Sequence, residues 1–497
     1  MTNLPVLYQN NLQFRAVYEG LCANGNAVVS GLIGSKHSFL VKSLFDQHPD
    51  TTIWILNNKE EAAYFLNDLE VLLPNPPLFF PSSYRRPYNI EETDNANVLL
   101  RAETLQKLKE LPKQLVVTYP EALFEQVLTP KELKRKTLSI NIGDELSIDF
   151  VNETLFEFGF SRVDFVAEPG EFAVRGGILD VHSFSHDQPF RIEFFGDEVD
   201  TIRTFDVTSQ RSTQSLNQAQ ILANIEQKEK EEVRQSLLAF PSANTLVCVQ
   251  NESVITAELD ALFKHAQKAF ENISGEIKRQ SPKELFIDGK TFSKGLSILP
   301  NVHFSPSGKT STHTFSCQPQ PHFKRKFDWF SEHLNENYAQ QRTNHIFCAS
   351  ETQKERLTQI IEELVPETPF HCWVAPLYQG FIDEDENIVC YTDHQLFERY
   401  HKFRLKNGYS KKQAISLKAL AQLEVGDYVT HIDHGIGTFG GLQRIDVEGK
   451  TQEAIKLFYG DRDILYVSIH SLHKISKFNG KDGAVVYRLP MKELKLD

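Results

Sequence analysis

Residues 162–212 read RVDFVAEPGEFAVRGGILDVHSFSHDQPFRIEFFGDEVDTIRTFDVTSQRS. Two parts of this stretch, EFAVRGGILDVHS and FRIEFFGDEVDTIRTFD, alternate with a period of two. Because successive side chains of a strand point to opposite faces, this period is typical of strands in an antiparallel sheet. The pattern predicts a small antiparallel α+β domain over residues 129–215.

The segment FRIEFFGDE carries aromatic residues on both faces of its predicted strand. Three apolar side chains are expected on the core face: Phe190, Ile192 and Phe194. Arg191 and Phe195 would then share the opposite face with Glu193, and an exposed phenylalanine beside an arginine is typical of a protein-binding surface. A second interpretation is that Gly196 allows a β-bulge, which would turn Phe195 back toward the core.

Arg175 stands directly before Gly176 and Gly177, a pair that predicts a tight turn. Such a turn could present the arginine to a partner, although a simply solvated arginine would give the same sequence. The runs EPGEFAVRGGILD and RIEFFGDEVD, together with IRTFD and QRS, resemble those of the excision-repair protein UvrB and of the UvrB-like module of transcription-repair coupling factors. In that family the small antiparallel domain binds UvrA, so the resemblance implies a UvrA-binding site at Arg175, Arg191 and Phe195.

Strands alternate with helices over residues 27–128, as in the runs AVVS, TIWIL and LVVT. Mixed α/β signals return over residues 216–322. This alternation predicts a parallel sheet that is covered on both faces. We therefore expect a UvrB-like, degenerate helicase-like α/β domain built from residues 1–128 and 216–322, with the antiparallel domain inserted between them.

The segment VVSGLIGSKHSFLVKSLF lies at a strand-to-helix turn, where a nucleotide-binding loop would belong. That loop needs the pattern G-x-x-x-x-G-K-[ST]. Here Gly31 is followed five residues later by Lys36 instead of glycine, and Lys36 precedes His37, which has no hydroxyl for magnesium. The spacing predicts an ordinary strand-to-helix turn, with no nucleotide cofactor, no catalytic residues and no ATP hydrolysis by this chain.

Residues 423–480 are β-rich with Gly-rich turns, and YVTHI, TFGGLQRIDV, EAIKLFY and ILYVSI are predicted strands. This segment resembles the RNA-polymerase-interacting domain of coupling factors and the related CarD-type domain, a small SH3-like β barrel. In the family the strand that bears Ile445 lies against the RNA polymerase β subunit, so the resemblance implies a polymerase-binding residue at Ile445. The period-two pattern alone would also allow Ile445 to lie in the barrel core.

Three further segments complete the chain. Residues 323–401, which include YTDHQLFERY, resemble the small α/β domain that precedes the barrel in coupling factors, and the resemblance implies no binding role for it. Residues 402–422 are basic and are predicted to form a linker. Residues 481–497 depart from the basic helix that the family would have after the barrel, so we expect this atypical tail to mark a truncated or altered C-terminus.

Composition and spacing disfavour several classes of site. The spacing of His431, His434, His470 and His473 fits no standard zinc site and no cysteine completes one, so we expect no metal. The six cysteines are scattered without a C-x-x-C pair, which is typical of a cytoplasmic protein without disulfides. The chain has neither a signal-peptide pattern nor an apolar run of the ~20 residues that a membrane span needs.

The net charge of −13 argues against a chain that mainly grips nucleic-acid phosphates, so direct DNA binding is expected to be weak. The sequence predicts a multidomain α/β adaptor of transcription-coupled nucleotide excision repair, which binds UvrA and the RNA polymerase β subunit. The ATP-dependent DNA translocase of full-length family members is expected to be absent from this chain. The alternative is a UvrB-type DNA-dependent ATPase. Against it stand the missing nucleotide loop, the lack of following helicase motifs, and the short, acidic segment at residues 81–100, where UvrB has a DNA-clamping hairpin.

Overall fold

A computed structural model gives the fold of the chain. It describes residues 7–8, 10–83, 95–207, 209–225, 232–272, 280–305, 311–399, 425–431, 434–447, 450–459, 463–468 and 475–477. The chain forms two units, residues 1–132 with 228–406 and residues 133–227 with 407–497. Within the described ranges, no helix is both long enough and apolar enough to cross a membrane.

The main sheet of the first unit has seven strands. Their bounds are β1 (Asn26–Ser30), β2 (Thr52–Ile55), β3 (Leu78–Phe79), β4 (Leu115–Thr118), β15 (Leu246–Val249), β16 (Asn301–Ser305) and β17 (His313–Thr314). They lie in the order β17-β1-β16-β15-β2-β4-β3, and each pairing is parallel. Every residue of β2, β4 and β15 is buried, as in a parallel sheet that is covered on both faces. The predicted parallel sheet is therefore confirmed.

Helices connect these strands. Their bounds are α1 (Leu12–Asn24), α2 (Lys36–Gln47), α3 (Lys59–Leu72), α4 (Asn95–Glu110), α5 (Pro120–Leu123), α8 (Glu252–Glu271), α9 (Pro282–Leu285) and α10 (Gly289–Leu296). The starts of α3, α8 and α10 are set by Asn58, Asn251 and Asp288, whose side chains accept a backbone N–H three residues later. A short antiparallel pair, β5 (Val127–Leu128) and β14 (Arg234–Gln235), joins the two chain segments of this unit.

A second, smaller sheet belongs to the same unit. Its strands are β18 (Cys317–Pro319), β19 (Thr343–Cys348), β20 (Phe370–Val374), β21 (Phe381–Asp383) and β22 (Ile388–Thr392), and its helices are α11 (Phe327–Ala339), α12 (Glu351–Leu364) and α13 (Asp393–Leu396). The order is β18-β21-β22-β19-β20, with β19 parallel to both of its neighbours. Leu334 of α11 and Leu357 of α12 share one buried cluster with Ile346 of β19.

The second unit contains the sheet that the opening stretch of sequence predicts. Its strands are β7 (Ser161–Arg162), β8 (Glu171–Arg175), β9 (Ile178–Val181), β10 (Phe190–Phe195), β11 (Glu198–Phe205) and β12 (Ser212–Leu216). They lie in sequence order, and all pairings are antiparallel except β7 with β8. Around it are α6 (Pro130–Arg135), α7 (Ile148–Glu157) and the antiparallel pair β6 (Thr137–Asn141) and β13 (Gln218–Leu222). The predicted antiparallel sheet is confirmed.

A five-stranded antiparallel sheet completes the second unit. Its strands are β23 (Tyr428–His431), β24 (Gly435–Val447), β25 (Lys450–Tyr459), β26 (Asp463–Ser468) and β27 (Ile475–Lys477), in the order β26-β25-β24-β23-β27. Val429, Ile455 and Leu457 lie in its buried cluster. The predicted linker over residues 402–422 and the predicted tail over residues 481–497 lie outside the described residues.

Candidate functional site

One face of the six-stranded sheet carries a group of charged side chains. The strand register places Asp180 beside Arg191, and Arg191 beside Arg203. Two residues along β10, Glu193 lies beside Thr201. Because alternate residues of a strand share a face, these side chains all project from the same side of the sheet. Arg203 forms an ion pair with Glu193, and Thr201 donates a hydrogen bond to the same carboxylate at 2.9 Å.

The carboxylate of Asp180 is the centre of this face. Arg191 donates from Nε to Oδ1 at 2.7 Å and from Nη2 to Oδ2 at 2.8 Å, which is the bidentate geometry of a strong ion pair. Arg175 also donates from Nη2 to Oδ2. Arg191 is held further by a 3.1 Å bond from Nη1 to the Gln210 carbonyl, and by the ring of Phe205, whose centroid is 4.5 Å from the guanidinium. A single buried carboxylate therefore fixes both predicted arginines.

The three predicted residues differ widely in exposure. The side chain of Arg191 is 14% exposed and that of Arg175 is 31% exposed, whereas Phe195 is 83% exposed. The guanidinium of Arg175 also lies 5.5 Å from the ring centroid of Phe165. The structure thus brings the two arginines together, leaves Phe195 available for contact, and gives Arg191 mainly internal partners.

Phe195 projects from the end of the hairpin that joins β10 to β11. It pairs with Glu198, and the turn between them contains Gly196 at a φ of 65°, a conformation that favours glycine. The register shifts between Glu193 and Phe194, which leaves Asp200 as the extra residue on β11. The bulge therefore lies on the partner strand. The interpretation in which a bulge at Gly196 buries Phe195 is wrong.

The prediction for Phe194 needs a correction. Phe190 and Ile192 are buried, as the alternation predicts, but Phe194 is only partly buried. Its position near the hairpin end leaves its ring less covered than the two before it. Its backbone is nevertheless tightly packed, because a Cβ atom at Gly177 would lie 2.8 Å from the Phe194 carbonyl oxygen. Gly177 therefore serves close approach of the strands, while Gly176, at a φ of 61°, makes the turn after Arg175.

The predicted polymerase-binding position lies on β24. The backbone of Ile445 pairs with Gln452, and its side chain lies outside what the structure describes. Position 445 shares a strand face with Gln443, which is exposed and accepts a 3.3 Å bond from the Tyr466 hydroxyl. The core residue Ile455 pairs with Leu442, and the buried Ala454 pairs with Gln443. The role of Ile445 in polymerase binding stays a prediction.

The two sheets that carry the candidate surfaces belong to one unit and are joined by an apolar cluster. Ala167, in the loop between β7 and β8, is buried in the same cluster as Val429 and Ile455 of the five-stranded sheet. Val207, which follows β11, packs against this cluster together with Leu465.

The sequence predicts neither a nucleotide site nor a metal site, and the residues that raised each question can be located. Lys36, the first residue of α2, is completely buried, and its Nζ lies 2.7 Å from Oδ2 of Asp383. The rings of His431 and His434 have centroids 4.9 Å apart, and His470 and His473 lie outside the described residues. In the described part of the chain, no group of three or more His, Cys, Asp or Glu side chains could hold a metal ion.

Sequence reasoning missed Asp180, the residue that organises the site. Its signal is visible in the strand ILDV, where a carboxylate stands among apolar residues. A charged residue in such a strand needs a buried cation, and the nearest arginines are on the neighbouring strands. The register between neighbouring strands determines which arginine pairs with Asp180. The alternation of residues within one strand does not predict that register.

Comparison with known proteins matches two regions of the chain to domain families. The UvrB interaction domain family matches residues 138–226, and the CarD-like/TRCF RID domain family matches residues 423–479. The transcription-repair-coupling factor of Haemophilus influenzae is 23% identical over 525 residues, which cover 92% of this chain and 46% of the relative. The corresponding proteins of Bacillus subtilis and Staphylococcus aureus (strain USA300) are 24% and 23% identical, over 97% and 96% of this chain and 48% and 47% of their own lengths. The chain spans about half the length of these curated relatives, and the predicted resemblance is confirmed.

The exposure of the β10 side chains predicts opposite effects for two alanine variants. Phe195→Ala should change the free energy of unfolding by less than about 0.5 kcal/mol, because the ring is exposed. Phe190→Ala should lower it by about 3–5 kcal/mol, because it empties a buried site. Hydrogen exchange of β10 and β11 peptides in increasing urea measures both. Equal destabilisation by the two variants would mean that Phe195 belongs to the core.

Proposed function

We propose that this chain is an adaptor of transcription-coupled nucleotide excision repair that binds UvrA and the RNA polymerase β subunit. One observation carries the proposal: a largely exposed phenylalanine lies on the same strand as Arg191 of the arginine–aspartate cluster, in the region that matches a UvrB interaction domain. The match of residues 423–479 to a CarD-like/TRCF RID domain supports the polymerase-binding half. A cytoplasmic location and the domain boundaries predicted from the sequence belong to this proposal. So do the degenerate helicase-like character of the first domain and the closure of the five-stranded sheet into an SH3-like barrel.

The exposed groups of this surface indicate which chemical groups UvrA would need in order to bind it. Phe195 supplies apolar area, and Arg175 has N–H groups left over after its bond to Asp180. On this face three arginines are balanced by the carboxylates of Asp180, Glu193 and Glu198, and Glu198 lies opposite Phe195, so the remaining N–H groups of Arg175 and not a net charge would attract an acidic partner. We expect the UvrA side to provide an apolar pocket with acidic groups at its rim. Arg191 would act through Asp180 by holding the arrangement in place.

The proposed adaptor has no nucleotide chemistry of its own. The buried ion pair of Lys36 with Asp383 leaves that lysine unable to reach a phosphate, which supports this part of the proposal. Any ATP-driven motor of the family would lie outside these 497 residues. The second candidate function is a UvrB-type DNA-dependent ATPase, and an assay of ATP hydrolysis with and without DNA separates the two.

Binding to purified UvrA should depend on Phe195. Phe195→Ala is expected to weaken the affinity about thirtyfold, which corresponds to ~2 kcal/mol, because it removes an apolar anchor at a protein interface. Phe150→Ala is the matched control, since Phe150 is also an exposed phenylalanine of this unit but lies on α7. Calorimetric titration of each variant with UvrA gives the affinities. If the two variants bind UvrA equally well, Phe195 is not the anchor.

Binding to RNA polymerase should depend on position 445. Ile445→Arg is expected to reduce binding to the isolated β subunit below detection, because an unpaired charge would be placed in an apolar contact. Ile464→Arg, at an exposed isoleucine of the same sheet, should retain binding. A pull-down with circular dichroism melting of both variants makes the comparison. A lost cooperative melt in Ile445→Arg would instead place Ile445 in the core.

The chain should not bind ATP. Calorimetric titration with ATP and magnesium is expected to give no binding heat at micromolar protein, and DNA should not stimulate hydrolysis. The reason is that the turn lacks the second glycine and the hydroxyl of a phosphate loop, and Lys36 is already paired. Micromolar affinity that Lys36→Ala abolishes would favour the ATPase alternative.

A further inference from the structure

The turn between β1 and α2, residues 31–35, is filled by other parts of the same unit. A Cβ atom at Gly31 would lie 1.9 Å from the carbonyl oxygen of Phe315, and a Cβ atom at Gly34 would lie 2.8 Å from that of Gln379. Both glycines have positive φ angles, 80° and 55°. In a phosphate-binding loop, glycines of this kind let the ligand approach the backbone. Here the approaching group is the protein's own backbone.

Residues 377–383, which we name the docking segment, also form hydrogen bonds with a residue just before α2 and with a residue of α3. The backbone N–H of Gln379 donates to Oγ of Ser35 at 3.0 Å, and the N–H of Ser35 donates to the Gln379 carbonyl at 3.0 Å. The N–H of Tyr378 donates to Oδ1 of the buried Asp68 at 2.6 Å. The rings of Tyr378 and Tyr64 stack with centroids 4.2 Å apart. Polar and aromatic contacts therefore fix the segment in one position.

A buried ion pair completes this contact. Nζ of Lys36 lies 2.7 Å from Oδ2 of Asp383, and both side chains have no exposed surface. The same oxygen accepts a 2.6 Å bond from the hydroxyl of Tyr8. Oδ1 of Asp383 accepts backbone N–H groups from Asp385 at 3.1 Å and Glu386 at 3.3 Å. The carboxylate is thus surrounded by donors, as a bound anion would be.

We propose that the turn at residues 31–35 and the adjoining Lys36 form a site that is occupied by the chain itself: the turn receives the backbone of Phe315 and Gln379, and Lys36 binds the carboxylate of Asp383. These contacts hold the small sheet of β18–β22 against the main sheet in a fixed position. The lysine that would reach a phosphate in a nucleotide-binding loop here binds a carboxylate of the same chain. This assigns a role to residues 323–399, which carry no predicted binding function. The inference does not depend on the proposed binding of UvrA or polymerase.

Replacing one partner of the buried pair and replacing both partners should have different effects on the melting temperature. Removing one partner leaves an uncompensated buried charge, whereas replacing both partners by apolar residues leaves no buried charge at all. Lys36→Met and Asp383→Asn should each lower the melting temperature of the first unit by roughly 6–15 °C. The double variant Lys36→Met/Asp383→Leu should recover most of that loss. Lys42→Met is the matched control, because Lys42 also lies on α2 but pairs with Asp46 at the surface, and it should melt like wild type.

Two measurements on the full chain decide the matter. Tryptophan fluorescence follows the melting of the first unit, because Trp54, Trp329 and Trp373 all lie in it. Hydrogen exchange then reports whether peptides of the docking segment and of residues 31–35 open together in the single variants, as we expect. If the single variants fail to fold, a folded double variant supports the inference and an unfolded one overturns it.

Two other outcomes would also overturn the proposal. One is strict additivity of the two single changes in the double variant, since residues that form a pair are energetically coupled. The other is unchanged hydrogen exchange of the docking segment in Asp383→Asn.

Discussion

The carboxylate of Asp180 lies in the interior of the second unit, and two guanidinium groups accompany it. A charge that leaves water without a partner costs several kcal/mol, so a buried carboxylate dictates where its cations must be. In the first unit the same constraint ties Asp383 to Lys36. Each unit thus contains a buried aspartate that fixes the position of one or two basic residues. In the second unit these residues belong to the candidate UvrA-binding surface, and in the first unit Lys36 belongs to the self-occupied site that we propose.

At the candidate UvrA surface, the exposed phenylalanine and the paired arginines have different roles. Phe195 is exposed because the hairpin ends beside it, and its ring is free to enter a pocket on a partner. The arginines are already ordered by Asp180 before any partner arrives, so little side-chain entropy remains to be lost on binding. Preorganisation of this kind favours affinity without a large contact area. It also means that a substitution of the buried Asp180 would change the positions of Arg175 and Arg191.

The sequence predicted the elements better than the contacts between them. Alternation in FRIEFFGDE correctly assigned Phe190 and Phe195 to opposite faces, because the period of a strand is a local property. It overestimated the burial of Phe194, which depends on how near the hairpin end lies. The spacing of Gly31 and Lys36 predicts an ordinary strand-to-helix turn instead of a phosphate loop. It gave no sign of Asp383, because that pairing joins residues from distant parts of the chain and depends on how two sheets pack.

We propose that one chain binds UvrA and RNA polymerase at the same time, as an adaptor must. Sedimentation velocity of this chain with purified UvrA and core RNA polymerase, each alone and then together, tests that claim most directly. The account predicts a single faster-sedimenting species that contains all three components when both partners are present. A mixture of separate binary complexes, or sedimentation of the chain with neither partner, would contradict it.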